Sequence, residues 1–204
     1  MIRRLLTKLL TPVARRLSGV HPNTLTMMSL ITGVLSGLAF FLTFKDPAFF
    51  LAGGLLAALS GLSDSLDGIV ARMHCRCSRF GDFLDHFCDR IVDLAILVGL
   101  SFSTHVDSTL GLVVVILILL NNYLATQIHA SFQERFYGGI GKAELFPGLV
   151  IVSVVFAFFP DISFIIAGRL VPLMNLMFVL VGVVSTANMI HSLHHVYRIC
   201  AESA

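Results

Sequence analysis

Residues 64–89 read DSLDGIVARMHCRCSRFGDFLDHFCD and place acidic side chains inside two stretches that otherwise resemble membrane helices. With Asp93, residues 64–93 hold half of the chain's 12 acidic residues. An ionised carboxylate beside hydrocarbon costs at least a few kcal/mol. This concentration of acids therefore requires a bound cation or a water-filled cavity.

The spacing of these acids assigns them to two helical faces. At about 100° of rotation per residue, Asp64 and Asp67 lie roughly 60° apart on one helix. On the following helix the other four acids are spaced by 3, 4 and 4 residues and stay within roughly 80°. Because the connection at residues 74–79 is short, we expect antiparallel neighbouring helices with opposed acidic faces near the cytoplasmic surface. Oxygen ligands that converge in this way favour Mg²⁺ or Mn²⁺.

The composition of the whole chain excludes a water-soluble globule. Of 204 residues, 56% are hydrophobic and 13% are charged, and the mean hydropathy is +0.90. We predict an all-α integral membrane protein with six transmembrane helices preceded by an amphipathic interfacial helix, in a single domain over residues 1–204. The six spans, a bundle over residues 24–199, are predicted at about residues 24–44, 48–72, 80–102, 108–129, 142–159 and 170–199.

The amino-terminal residues 2–18 predict a helix that lies in the membrane interface. Leucines occupy one helical face, and most of the basic residues lie elsewhere. The segment has no uninterrupted apolar core and no small-residue cleavage site, so we expect no signal peptide. Pro22 and Thr24 then suit the start of the first spanning helix.

The distribution of Lys and Arg predicts the orientation in the membrane. With a cytoplasmic amino terminus, only Lys45 and Arg169 fall on the opposite side, and Arg90 lies within a span. This positive-inside bias predicts a multi-pass protein of the cell membrane with both termini in the cytoplasm. The cytoplasmic basic residues are Arg3, Arg4, Lys8, Arg15, Arg16, Arg72, Arg76, Arg79, Arg135, Lys142 and Arg198.

Charge and cysteine content narrow the classes of partner. The formal charge of +2 does not indicate nucleic acid, so we expect lipids and small molecules as partners. Four cysteines in a membrane chain of this size do not predict a disulfide framework, and we expect reduced thiols. The segment at residues 74–77, HCRC, lacks the second ligand pair of a zinc site.

The stretch at residues 64–89 resembles the signature of the CDP-alcohol phosphatidyltransferases. That signature reads D-x2-D-G-x2-A-R-x8-G-x3-D-x3-D, and all of its fixed positions are filled here. The resemblance extends to the HPNTLT sequence at residues 21–26, to the interfacial helix and to the number of spans. It therefore covers nearly the whole chain.

The resemblance implies an enzyme of phospholipid biosynthesis. Such an enzyme transfers the phosphatidyl or archaetidyl group from CDP-diacylglycerol or CDP-archaeol to the hydroxyl of a small alcohol and releases CMP. The resemblance also implies a homodimer and a two-metal site for Mg²⁺ or Mn²⁺, with Asp89 as both ligand and general base. The implied metal ligands are Asp64, Asp67, Asp85 and Asp89. The implied CDP-lipid-binding residues are Asp64, Gly68, Ala71, Arg72 and Gly81.

Other interpretations of single residues remain open. Gly68 and Ala71 at helical spacing also suit close helix packing in a membrane. Asp82 is also explained by its place at the start of its helix, where a negative charge interacts favourably with the helix dipole. Asp93 suits an ion pair with Arg90 or a place on a polar cavity. His86 points about 100° away from Asp85 on the helix, so we expect a packing or supporting role.

Because the signature is common to members with different acceptors, we expect the acceptor alcohol to be chosen chiefly by the fourth and fifth helices and their cytoplasmic loop. The sequence GKAE at residues 141–144 resembles the Gly-Arg-Ala-Glu/Asp-Arg pattern of inositol-phosphate-type members, with Lys142 for Arg and Leu145 for the second Arg. Arg135 and Lys142 supply two cations suited to an acceptor phosphate, although ordinary positive-inside charge explains them equally well. The resemblance favours inositol phosphate as the acceptor, and glycerol phosphate, serine or another alcohol stays open.

Two other classes of function compete with the transferase. A divalent-cation transporter also has acidic residues within its spans, but these would be distributed through the membrane thickness and on the outer side. Here the acidic residues cluster toward one face, at the ends of two helices joined by a short loop. A non-catalytic scaffold would tolerate gaps in the signature, and none is present.

Overall fold

The computed structural model of the chain describes residues 2–17, 19–75, 78–132, 142–166 and 168–202, with the backbone alone at residues 2–6, 142–147 and 202. The elements in chain order are α1 (Ile2–Arg16), α2 (Pro22–Phe41), a short 3-10 helix (Leu42–Phe44), α3 (Ala48–Met73), α4 (Arg79–Ser101), α5 (Ser108–Phe132), α6 (Lys142–Phe158), β1 (Ser163–Ile166), β2 (Arg169–Pro172) and α7 (Leu173–Glu202).

Four helices of the described chain are long and apolar enough to cross a membrane. They are Pro22–Phe44, Ala48–Met73, Ser108–Phe132 and Leu173–Ala201. Helix α4 has 23 residues but includes four of the acidic residues, and α6 has 17 residues. The protein is therefore a predominantly helical membrane protein.

The bounds of the predicted helical segments agree with those of the observed helices to within three residues, but the last segment begins with residues that form a strand. We predict that segment from residue 170, but Arg169–Pro172 form β2, which pairs antiparallel with β1. Gly168 closes the hairpin with a φ of 78°, a conformation that glycine adopts without steric cost. A short apolar strand and the end of an apolar helix have the same hydropathy, which explains the wrong prediction.

The chain divides into two compact units. Unit 1 comprises Met1–Ser103 and Lys142–Pro160 and contains α1 to α4 and α6. Unit 2 comprises Thr104–Gly141 and Asp161–Ala204 and contains α5, the hairpin and α7.

Helix α2 is the packing centre of unit 1, because small residues let two helices approach it closely. A Cβ added to Gly37 would collide with the Ala95 carbonyl of α4, and one added to Gly99 would collide with the Gly37 carbonyl. On α3, the Gly53 carbonyl accepts a hydrogen bond from Ser36 Oγ at 2.7 Å. Helices α3 and α4 thus both pack along α2. The sequence pattern does not reveal this role of α2.

Helix α1 packs against the segment of α3 that carries the signature. Ala14 is fully buried and lies in one apolar cluster with Leu25 of α2 and with Ile69 and Val70 of α3. Leu9 remains 64% exposed. One face of α1 therefore supports the back of the signature segment, while another face stays open.

In unit 2, a polar contact links α5 to α7. Asn121 Nδ2 donates to the Ser185 carbonyl at 3.2 Å. At the start of α5, the backbone N–H of Asp107 donates to Asn175 Oδ1 at 2.9 Å. Because hydrocarbon offers no competing partners, such bonds favour association of the two helices.

Candidate active site

A tight connection sets the end of α3 close to the start of α4. The C-cap residue His74 donates its backbone N–H to the Val70 carbonyl at 3.1 Å. Cys75 follows in the left-handed region, with a φ of 53°. Ser78 then begins α4 as its N-cap, because its Oγ accepts the backbone N–H of Gly81 at 2.9 Å. The signature residues of both helices therefore lie near this turn.

Three carboxylates of the signature converge. One oxygen from each of Asp64, Asp85 and Asp89 lies within 4.8 Å of the other two. All three side chains are half-buried, so their mutual repulsion is screened less than it would be in bulk water. Among the described residues they form the one group of three or more His, Cys, Asp or Glu side chains close enough to hold a metal ion.

The donor set of this group fits a small divalent cation. Mg²⁺ prefers oxygen ligands at about 2.1 Å, so two ligands of one ion lie at most about 4.2 Å apart. A spread of 4.8 Å needs only a slight inward rotation of the side chains to meet that limit. The carboxylates of Asp64, Asp85 and Asp89 are therefore chemically and sterically suited to Mg²⁺ or Mn²⁺.

Asp67, the remaining predicted metal ligand, lies outside this group of three. It is 5% exposed, and its Oδ2 accepts a hydrogen bond of 2.7 Å from Thr26 Oγ1 on α2. Asp85 and Asp89 are close enough to act on it electrostatically. Asp67 thus adds a fourth negative group beside the other three, and α2 holds it.

A cleft of about 160 Å³ opens at the junction of α2, α3 and α4. Most of the residues predicted to bind the CDP-lipid line it, and Asp64 is the exception. The lining residues are Pro22, Asn23, Thr26, Asp67, Gly68, Ala71, Arg72, Ser78, Gly81, Asp82 and Asp85. The cleft and the group of carboxylates meet at Asp85, which belongs to both.

Small residues keep this cleft open. A Cβ on Gly81 would stand 3.0 Å from Ser78 Oγ and 3.4 Å from Asn23 Oδ1. A Cβ on Gly68 would stand 3.2 Å from Nη1 of Arg72. These glycines therefore leave room for a ligand and for the Arg72 guanidinium. For Gly68, this role differs from the close helix packing that its spacing also suggests.

The other polar residues of α4 have local partners. Arg90 Nη1 lies 3.5 Å from Asp93 Oδ2, as the sequence suggests. His86 is exposed, and its Nδ1 lies 2.9 Å from the Asp82 carbonyl. It is 3.9 Å from the Asp85 carboxylate but is not part of the group of carboxylates.

Sequence reasoning missed the contribution of α2 to the site. Pro22, Asn23 and Thr26 line the cleft from the first turns of α2, and Ser78 lines it from the cap of α4. The sequence signal for the three α2 residues is HPNTLT at residues 21–26. The family resemblance includes this stretch but assigns no role to its residues. The polar residues just after the helix start indicate a site there.

Both predicted acceptor-binding residues fall where the structure gives no side-chain description. Arg135 lies outside the described residues, and only the backbone of Lys142 is described. Of the cysteines, Cys75, Cys88 and Cys200 are not in disulfide bonds, and Cys77 lies outside the described residues.

Comparison with known proteins adds a family and two curated relatives. Residues 19–187 match the family model described as CDP-alcohol phosphatidyltransferase. The chain is 29% identical over 145 residues to the archaetidylinositol phosphate synthase of Pyrococcus horikoshii, covering 69% of this chain and 71% of that protein. It is also 29% identical over 129 residues to the bifunctional IPC transferase and DIPP synthase of Archaeoglobus fulgidus. That match covers 63% of this chain but only 25% of the Archaeoglobus protein.

Two solved structures of the Mycobacterium tuberculosis phosphatidylinositol phosphate synthase are similar in fold. The complex with manganese and citrate has a TM-score of 0.71 and 26% identity, covering 92% of this chain and 88% of that chain. The structure with CDP-DAG bound has a TM-score of 0.69 and 25% identity, covering 94% and 92%.

Proposed function

The chain belongs to the CDP-alcohol phosphatidyltransferase family, and on that premise we propose that it joins the phosphatidyl or archaetidyl group of a CDP-linked lipid to inositol phosphate. CMP is the second product, and the reaction belongs to phospholipid biosynthesis. The names of the relatives support inositol phosphate over glycerol phosphate and serine, because they include an archaetidylinositol phosphate synthase and a phosphatidylinositol phosphate synthase.

The observation that carries this proposal is the convergence of Asp64, Asp85 and Asp89 beside the cleft. With Asp67, these residues would hold Mg²⁺ or Mn²⁺ in a two-metal site. A divalent cation bound there would supply the positive charge that neutralises the diphosphate and stabilises the attacking and leaving oxygens. Manganese in the similar mycobacterial structure supports this assignment.

Asp89 acts as the general base. It takes the proton of the acceptor hydroxyl as that oxygen attacks the phosphorus that bears the lipid. The new phosphorus–oxygen bond forms while the bond to CMP breaks, and CMP leaves with the bonding electrons. The product is a lipid phosphodiester.

The residues lining the cleft bind the CDP part of the donor. Gly68, Ala71 and Gly81 let the nucleotide approach the helix backbones, and Arg72 offers a planar fork of donors to a phosphate. CDP-DAG in the similar mycobacterial structure supports a CDP-lipid as the donor. Arg135 and Lys142 are proposed to meet the phosphate of the acceptor.

The membrane arrangement follows from the charge pattern. We propose six spans, namely the four apolar helices together with α4 and α6, and we place α1 in the cytoplasmic interface. Both termini face the cytoplasm, and residues 1–204 form a single domain in the cell membrane that assembles as a homodimer. The excess of Lys and Arg on one side supports this orientation.

One assay tests the reaction and its substrates together. Purified protein receives labelled CDP-diacylglycerol or CDP-archaeol, Mn²⁺ or Mg²⁺, and inositol phosphate, glycerol phosphate or serine in separate reactions. We expect a lipid product with inositol phosphate and an equal amount of CMP. A product with another acceptor alone would refute the acceptor assignment. Metal flux into sealed vesicles without any lipid product would instead identify a transporter.

A further inference from the structure

We propose that Thr26 is a positioning residue that fixes the Asp67 carboxylate for cation binding. The inference rests on the proposed function, in which Asp67 holds a divalent cation. Thr26 lies on α2 and Asp67 lies 41 positions later on α3, so their 2.7 Å hydrogen bond ties two helices together at the site. Both residues are 5% exposed, so water has little access to replace either partner.

The direction of this hydrogen bond follows from its chemistry. A carboxylate that binds a cation is ionised and only accepts hydrogen bonds, so Thr26 must be the donor. Thr26 Oγ1 also lies 3.3 Å from the Pro22 carbonyl within α2. A hydroxyl has a single proton, and the shorter contact, to charged Asp67, is the stronger one. The bond therefore restrains both the Thr26 hydroxyl and the orientation of Asp67.

A second cross-helix bond sits one turn farther along α2. Ser60 Oγ donates to the Ser29 carbonyl at 2.8 Å, and the Ser29 and Ser60 hydroxyls are 3.1 Å apart. Because this pair already joins α2 to α3, the helices do not depend on Thr26 alone for their contact. Loss of the Thr26 hydroxyl should therefore change the orientation of Asp67 more than the packing of the helices.

The test compares three variants. Thr26→Val removes the hydroxyl and keeps the branched shape, and Thr26→Ser keeps the hydroxyl. Thr32→Val is the matched control, because the Thr32 hydroxyl donates at 2.7 Å to Met28 of its own helix. For each purified, substrate-free protein, the Mn²⁺ dissociation constant is measured from the electron paramagnetic resonance signal of free Mn²⁺, and the melting temperature is measured in detergent.

We expect Thr26→Val to weaken Mn²⁺ binding about tenfold, the lower end of the effect of losing a partner that orients a ligand. Thr26→Ser and Thr32→Val should bind Mn²⁺ within about twofold of the parent protein. Should Thr26→Val misfold, a tenfold weakening in Thr26→Ser would still count against the proposal, since serine retains the donor.

Unchanged Mn²⁺ affinity in Thr26→Val would overturn the inference, even if its melting temperature or turnover fell. Absence of Mn²⁺ binding by the parent protein would overturn it as well. If the parent binds Mn²⁺ and Thr26→Val weakens that binding, but no lipid product forms, then the proposed function fails and the positioning role stands.

Discussion

The guanidinium of Arg72 lies over Gly68, one helical turn earlier in α3. A Cβ at position 68 would stand 3.2 Å from Nη1 and 3.6 Å from Nη2. Both residues line the cleft. The missing side chain of Gly68 therefore provides the space into which Arg72 folds.

Gly68→Ala should displace the Arg72 guanidinium and raise the KM for the CDP-lipid about five- to tenfold, corresponding to about 1 kcal/mol of binding. Steady-state kinetics with varied CDP-lipid measures this. Gly148→Ala is the control, because nothing lies within 4 Å of a Cβ added there. An unchanged KM in Gly68→Ala would show that the position of Arg72 does not affect donor binding.

Asp89→Asn should lower turnover by about 10²- to 10⁴-fold, the range typical of a lost general base. The amide keeps the shape of the side chain but cannot take the acceptor proton. Initial rates of CMP release measure the effect, and exposed Asp161→Asn should keep turnover within about twofold. Normal CMP release by Asp89→Asn would rule out this residue as the base.

Removal of divalent cations with a chelator should abolish turnover, and added Mn²⁺ or Mg²⁺ should restore it, since the converging carboxylates need a cation to bind a diphosphate. Asp64→Asn and Asp85→Asn should each require at least about tenfold more Mn²⁺ for half-maximal rate. Titration of the rate with Mn²⁺ measures the requirement. Full activity in chelator would contradict the metal assignment.

Gly99→Ala should lower the free energy of unfolding by about 1–3 kcal/mol or more, because the added methyl meets the Gly37 backbone and overpacks the crossing of α2 and α4. Denaturant unfolding in detergent measures the change. Gly148→Ala is again the control and should be neutral or stabilising by up to about 1 kcal/mol, since alanine favours a helix. Equal stability of both variants would mean that the crossing can relax.

Stability should fall as the pH drops below about 6.5, the ordinary pKa of histidine. Burial lowers the pKa of His105, and the nearby Asp161 carboxylate opposes part of this change. The unfolded chain therefore binds this proton at a higher pH than the folded chain does, so acid favours unfolding. The difference between the melting temperatures at pH 7.5 and pH 5.5 should be smaller in His105→Gln than in the parent protein. Exposed His194→Gln should retain the parent difference, and an unchanged difference in His105→Gln would exclude His105 as its source.

The positions of the helices could be predicted from the sequence because hydropathy is a local signal. The Pro, Gly and charged residues that end helices are local signals too. The ends of α3 and α4 are predicted to within one residue. The hairpin at residues 163–172 was missed, since four-residue apolar strands carry no distinct period. The packing of α3 and α4 on α2 was also missed, because it depends on glycine and serine positions in three segments distant in sequence.

The sequence by itself determined the family, the membrane class and the residues of the acidic signature, because fixed spacings on helices assign side chains to faces before any packing is known. Only the tertiary structure decided that Asp64, Asp85 and Asp89 come within 4.8 Å of one another while Asp67 bonds to Thr26. Contacts between helices depend on the shapes of all the surfaces that meet, and α2 supplies a surface that the signature does not contain.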